Sequence, residues 1–125
     1  MKASELRLGN WINCIGTIRK VSLSTIHELN ISENEYIRPI PLNEEWLIKC
    51  GFELSEHKDQ AFLKIKTDFT NGSSFSLDCF TDDWSFMIEE RNFNDGNNCS
   101  FIPRKINYVH ELQNLYFALT NEELI

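Results

Sequence analysis

The sequence predicts an α+β fold in which antiparallel β-structure packs against two helices. Three observations carry that prediction. Runs between Leu63 and Glu89 alternate apolar and polar residues with period two. Two segments, about 43–50 and 108–119, show helical spacing with start and stop signals. The opening residues are β-branched and punctuated by glycine, as in short strands with tight turns. With 125 residues that include 9 Phe, 3 Trp and 3 Tyr, the chain has apolar bulk enough for a core, and a single domain over 1–125 is expected.

Residues 11–15 and 17–23 read as two strands, because Trp, Ile, Thr and Val favour the extended form and Gly16 suits the positive φ of a tight connection. Tyr36, Ile37 and Arg38 add a third, stopped by Pro39 and Pro41. Such a start predicts a small curled, SH3-like sheet. A short helix follows. Asn43 supplies the N-cap, Glu44 and Glu45 meet the positive end of the dipole, and Trp46, Leu47 and Cys50 form the buried stripe. Gly51 fits the left-handed position after the helix, with Phe52 folding back beyond it.

Three strands of a meander come next. Leu63, Ile65 and Phe69 share a face opposite Lys64, Lys66 and Asp68, and Asn71-Gly72 suits a hairpin turn. Phe75, Leu77 and Cys79 alternate with Ser76 and Asp78. After a turn at 81–83, Trp84, Phe86 and Ile88 alternate with Ser85, Met87 and Glu89. Phe69, Phe75, Trp84 and Phe86 are spaced as core. Phe62, Phe80 and Met87 fall on the polar face, either as an exposed contact patch or beneath a covering segment. Residues 92–100 are rich in Asn, Asp and Gly and read as a mobile loop. Val109, Leu112, Leu115, Tyr116 and Leu119 then give the last helix its stripe, and Asn121 ends it.

The blocks Glu5-Leu6-Arg7-Leu8-Gly9-Asn10-Trp11-Ile12, 39–52 and 106–124 together resemble a family of small bacterial proteins that travel with prophages and other mobile elements. Relatives usually carry Thr where Asn43 stands and Gly where Asn121 stands, and both exchanges keep the cap chemistry. The resemblance implies a mobile-element protein in the bacterial host cytoplasm, and no catalytic residue carries over from it. The shared positions are mostly caps, turns and core.

The net charge is −7, the opposite sign from most domains that hold nucleic acid unaided. Residues 67–90 contain six acids and no Lys or Arg. Four cysteines without an apolar leader read as reduced intracellular thiols, and no apolar run approaches the ~20 residues of a membrane span. No Cys-x-x-Cys or His-x-x-x-His spacing occurs, His27, His57 and His110 are dispersed, and nothing activates Cys50 toward His57. Asp82-Asp83 and Glu89-Glu90 are adjacent pairs, so on strands each sends one carboxylate to each face. Neither an enzyme, a metal site nor a cofactor is expected.

The function expected is a non-enzymatic binding protein, a counter-defence (anti-CRISPR-like) inhibitor. Asp78, Asp82, Asp83, Glu89 and Glu90, with Phe80 and Met87 as apolar anchors, are its candidate contacts to a host protein with a basic surface, such as a guide-RNA effector nuclease or its ribonucleoprotein. The alternative is direct RNA or DNA binding through Arg7, Trp11, Arg19, Lys20 and Arg38. A phage structural or assembly component is a third reading.

Overall fold

The computed structural model describes residues 1–31, 36–57, 60–68, 73–92 and 96–125. After a 3-10 turn at Ala3–Glu5 the elements run β1 (Trp11–Cys14), β2 (Thr17–Lys20), α1 (Leu23–Ile31), β3 (Ile37–Arg38), α2 (Glu44–Lys49), β4 (Glu53–His57), β5 (Gln60–Asp68), β6 (Ser74–Phe80), β7 (Ser85–Asn92), β8 (Gly96–Phe101) and α3 (Val109–Thr120). They form two antiparallel sheets, ordered β2-β1-β3 and β4-β5-β6-β7-β8, and the fold is α+β as expected. Among the described residues no helix is long and apolar enough to cross a membrane. The chain divides into two units, residues 1–42 with 107–125, and residues 43–106.

In the first unit β1 and β2 meet through a two-residue turn. Ile15 at φ 51° and Gly16 at φ 77° give it the mirror-image geometry that matches strand twist, and Asn13 Oδ1 accepts the Gly16 N–H at 2.8 Å. The sheet is not closed, and β3 pairs with β1 over two residues only, ahead of Pro39. The strand predicted through Leu23 ends at Lys20, and α1 follows it. Ile26 and Leu29, three apart on that helix, pack on the core of Leu6, Ile12, Val21 and Ile37.

The opening residues are bound to α3 by side-chain amides. The Trp11 N–H donates to Gln113 Oε1 at 2.8 Å, Asn10 Nδ2 to Asn114 Oδ1 at 3.0 Å, and Asn114 Nδ2 to the Glu5 carbonyl at 2.9 Å. Arg7 completes the clamp. Its guanidinium donates to Asn114 Oδ1 (2.9 Å), Glu123 Oε1 (2.9 Å) and the Gln113 carbonyl (3.2 Å), and lies 4.1 Å over the Phe117 ring. Residues near the start of the chain (5–11) and in its last helix are thus two halves of one network. In α3 itself Glu111 Oε1 accepts the N–H groups of Asn107 and Tyr108, and Asn121 closes the helix at φ 60°. Val109, Leu112 and Tyr116 are buried as expected, whereas Leu119 is exposed and His110 and Gln113 are buried.

In the second unit α2 has the caps its sequence predicts. Asn43 Oδ1 accepts the Trp46 N–H at 2.9 Å. Beyond the helix Gly51 stands at φ 99°, its N–H on the Ile48 carbonyl and that of Phe52 on the Leu47 carbonyl, which is the Schellman closure. Leu47, Cys50 and Phe52 are buried while Trp46 is only half-buried. The sheet buries Leu63, Phe75, Leu77, Cys79 and Phe86 on one face. Two expectations are corrected. Trp84 is not core but sits in the β6–β7 turn at φ 57°, partly exposed. The predicted loop at 92–100 carries β8 from Gly96, because pairing with β7 outweighs a turn-like composition. Phe69 and Asn71-Gly72 lie outside the described residues.

Candidate functional site

Strand register decides which side chains share the second face of the five-stranded sheet. Lys64 pairs with Asp78 and Asp78 with Met87; Lys66 pairs with Ser76 and Ser76 with Glu89; Ser74 pairs with Arg91. Residues opposite one another across a ladder point the same way, so these rows form one surface. At its upper end three aromatic rings meet: the centroids of Phe62 and Phe80 lie 5.4 Å apart, and those of Phe80 and Phe101 lie 6.2 Å apart. Phe62, Phe80 and Met87 are half-buried and Phe101 is 62 % exposed. An open groove of about 540 Å³ runs across this face, lined among others by Phe62, Lys64, Asp78, Phe80, Met87 and Glu89.

The candidate contacts divide. Asp78, Phe80, Met87 and Glu89 come together on the groove. Glu90 pairs with Phe75 and therefore belongs to the opposite face. Asp82 and Asp83 lie in the exposed turn between β6 and β7, where Asp83 Oδ1 accepts both the Ser85 N–H (3.0 Å) and hydroxyl (2.7 Å), which holds its carboxyl below the usual range.

Asp78 corrects the anionic-face expectation most directly, being only 1 % exposed. Burial pushes its carboxyl above the ordinary carboxylate value. The Ser76 hydroxyl, which donates to Oδ1, offsets part of that rise, Glu89 adds to it, and Lys64 opposes it. A second correction concerns the field. The acids of 67–90 look uncompensated along the chain, but the register sets Lys64 and Lys66 of β5 and Arg91 of β7 among them, and Arg91 Nη2 lies 3.7 Å from Glu89 Oε1. The face is mixed in charge, not anionic.

The other candidate surface divides as well. Trp11, Lys20 and Arg38 share one face of the three-stranded sheet, with Lys20 Nζ 5.2 Å from the Trp11 ring, while Arg19 pairs with the buried Ile12 on the opposite face. Arg7 is committed to α3 as described. Beside this face Asn13, Ile15, Gly16, Tyr36 and Arg38 line an open hollow of about 400 Å³. Sequence reasoning missed Ile15, 77 % exposed at the turn, and Tyr36, 66 % exposed.

At the two buried thiols the surroundings oppose ionisation. Burial pushes Cys50 up to about 11 and Cys79 up to about 12, Asp83 adding to the latter, so both are protonated at neutral pH. Cys99 is exposed beside the groove. Among the described residues no three His, Cys, Asp or Glu side chains are grouped to hold a metal ion. No protein-family model, curated protein or solved structure matches the chain.

Proposed function

We propose that this chain is a non-enzymatic binding protein whose contact surface is the groove of the five-stranded sheet. The observation that carries the reading is the Phe62–Phe80–Phe101 cluster, left on an open sheet face beside Lys64, Asp78, Glu89 and Arg91. Aromatic anchors flanked by ionic groups are the ordinary anatomy of a macromolecular contact: burial of the rings supplies affinity, and the charges supply register. A groove this open suits a partner's segment better than a small molecule held on all sides. The setting is the one implied by the resemblance, a mobile-element protein acting on a bacterial host protein, with a guide-RNA nuclease among the candidates. Its basic surface is no longer singled out by the groove, whose own lining carries charges of both signs.

Co-purification of the tagged chain from host cytoplasm tests this. A partner retained by the parent chain and lost from Phe80→Glu, but not from Ile18→Glu on the three-stranded sheet, is the expected result. Partners that bind both variants equally well exclude the groove as the contact.

One observation favours direct nucleic-acid binding as a second reading: Trp11, Lys20 and Arg38 are brought to one face by the β1 register. A gel shift with single-stranded RNA at low salt, abolished by Lys20→Glu with Arg38→Glu, supports it.

A further inference from the structure

The two sheets end in four strands, and these edges are not alike. β2 carries Arg19 and Lys20, β3 carries Arg38, and β4 carries Glu53 and Glu56. Charges on an edge strand discourage pairing with another chain. β8, Gly-Asn-Asn-Cys-Ser-Phe over 96–101, has no charged residue and no proline. Asn98, Cys99, Ser100 and Phe101 are all exposed, although neighbours on a strand point to opposite faces. From residue 98 onward the strand is thus open on both faces.

Register shows which backbone groups β8 turns outward. The Ile102 N–H donates to the Phe86 carbonyl at 2.8 Å, which continues the β7–β8 register with a pair of the hydrogen-bonded kind. Such pairs alternate along an antiparallel ladder. Ser100 and Asn98 therefore also aim their N–H and C=O at β7, whereas Phe101, Cys99 and Asn97 aim theirs away from it. Among the described residues nothing pairs with that outer row.

We propose that the chain forms a two-fold dimer in which β8 pairs antiparallel with β8 of a second copy, Cys99 lying on the axis. Main-chain pairing reads little sequence. It asks of the partner strand an uncharged row, open faces and a matching run of outward groups, and a second copy brings all three unchanged. With Cys99 opposite Cys99, Asn97 of each copy faces Phe101 of the other, and each facing pair exchanges two N–H···O=C bonds. Moving the axis to Asn98 or Ser100 leaves one outward residue of each copy beyond the end of the row. The two-fold also uses up both edges, so the contact does not propagate. Pairing of β8 with β4 would instead set Glu53 and Glu56 along the junction and run on head to tail. The dimer does not depend on the groove reading: its axis is perpendicular to the sheet, which leaves the groove faces of both copies on one side and unoccupied.

Sedimentation equilibrium of the full chain from micromolar to millimolar concentration tests this. A monomer–dimer equilibrium is the expected result. Each copy carries −7 and the junction holds no ion pair, so added salt should tighten the dimer by screening. Cys99→Pro removes an outward N–H without touching a bond to β7 and should weaken association at least tenfold. Cys99→Lys and Cys99→Glu should each do the same alone, and mixing them should restore a heterodimer, because residue 99 faces itself only in this register. Glu53→Gln on β4 should leave association unchanged. If Cys99→Pro fails to fold, as judged by circular dichroism, the Lys and Glu variants decide. A chain that stays monomeric throughout, growth into open chains, or a dimer that weakens with salt overturns the inference. So does a dimer indifferent to the Cys99 variants or lost on Glu53→Gln. The groove reading is decided separately, by partner capture with Phe80→Glu, and survives each of these failures.

Discussion

Replacing Arg7 by Ala removes three hydrogen-bonding contacts and a ring contact in one step, and its cost follows from the geometry. The guanidinium lies 4.1 Å over Phe117, which contributes about 0.5–1 kcal/mol for a partly exposed pair. The bonds to Asn114 Oδ1 and the Gln113 carbonyl contribute about 1 kcal/mol each, since the side chain is 29 % exposed and water competes. The pair with Glu123, itself 47 % exposed, adds only about 0.2–1 kcal/mol. Contacts that share one side chain are not additive, so the expected loss is about 2–3 kcal/mol. Asn114 Oδ1 keeps its bond from Asn10, which limits the damage. In urea this should move the unfolding midpoint down by roughly 1–2 M at a typical slope. Arg7→Lys keeps the charge but not the planar fork and should cost about half as much. Glu123→Gln should cost little, and that little should disappear in high salt. A loss below ~0.5 kcal/mol for Arg7→Ala, or a neutral Arg7→Lys, would refute the clamp as a source of stability.

Three further outcomes follow from positions already described. Ile15→Asn should stabilise the chain by ~1 kcal/mol in thermal or urea unfolding, because it relieves a β-branched residue at φ 51° and loses little burial at a site 77 % exposed. Asp78→Asn should stabilise it at neutral pH, with the gain fading as pH falls toward the ordinary carboxylate value. The folded-state carboxyl is raised, so its favourable contribution is complete below the unfolded-state value and is lost as pH rises through the folded one; urea midpoints at acidic and neutral pH check the sign. In a thiol titration of the native protein Cys99 should react first, while Cys50 and Cys79 should wait for unfolding.

Local chemistry made much of the fold legible. Asn43, Gly51 and Asn121 mark helix ends through φ preferences and cap bonds that need no tertiary information, and the alternation in β5–β7 names the buried face. What escaped depended on distant partners. In α1 the cue was present in Ser22 and Thr25, whose side-chain oxygens accept each other's N–H groups, but Ser, Thr and Ile weaken the helical signal. The strand β8 exists by virtue of β7, not of Asn97, Asn98 or Gly96. The groove was half visible: Phe80, Met87 and Glu89 could be placed on one face from alternation, while the cations that balance the acids come from neighbouring strands and appear only in the register.

The Leu42 N–H donates to the Asn107 carbonyl at 2.8 Å, so the chain leaves the first unit and re-enters it at hydrogen-bonded neighbours. Residues 43–106 are in effect an insert between them. During vectorial synthesis that insert can complete its sheet on the ribosome, while Trp11 and Arg7 still await the Gln113 and Asn114 amides that emerge later. The amide network is therefore the last part of the first unit to be completed, although the residues of its N-terminal half are made first.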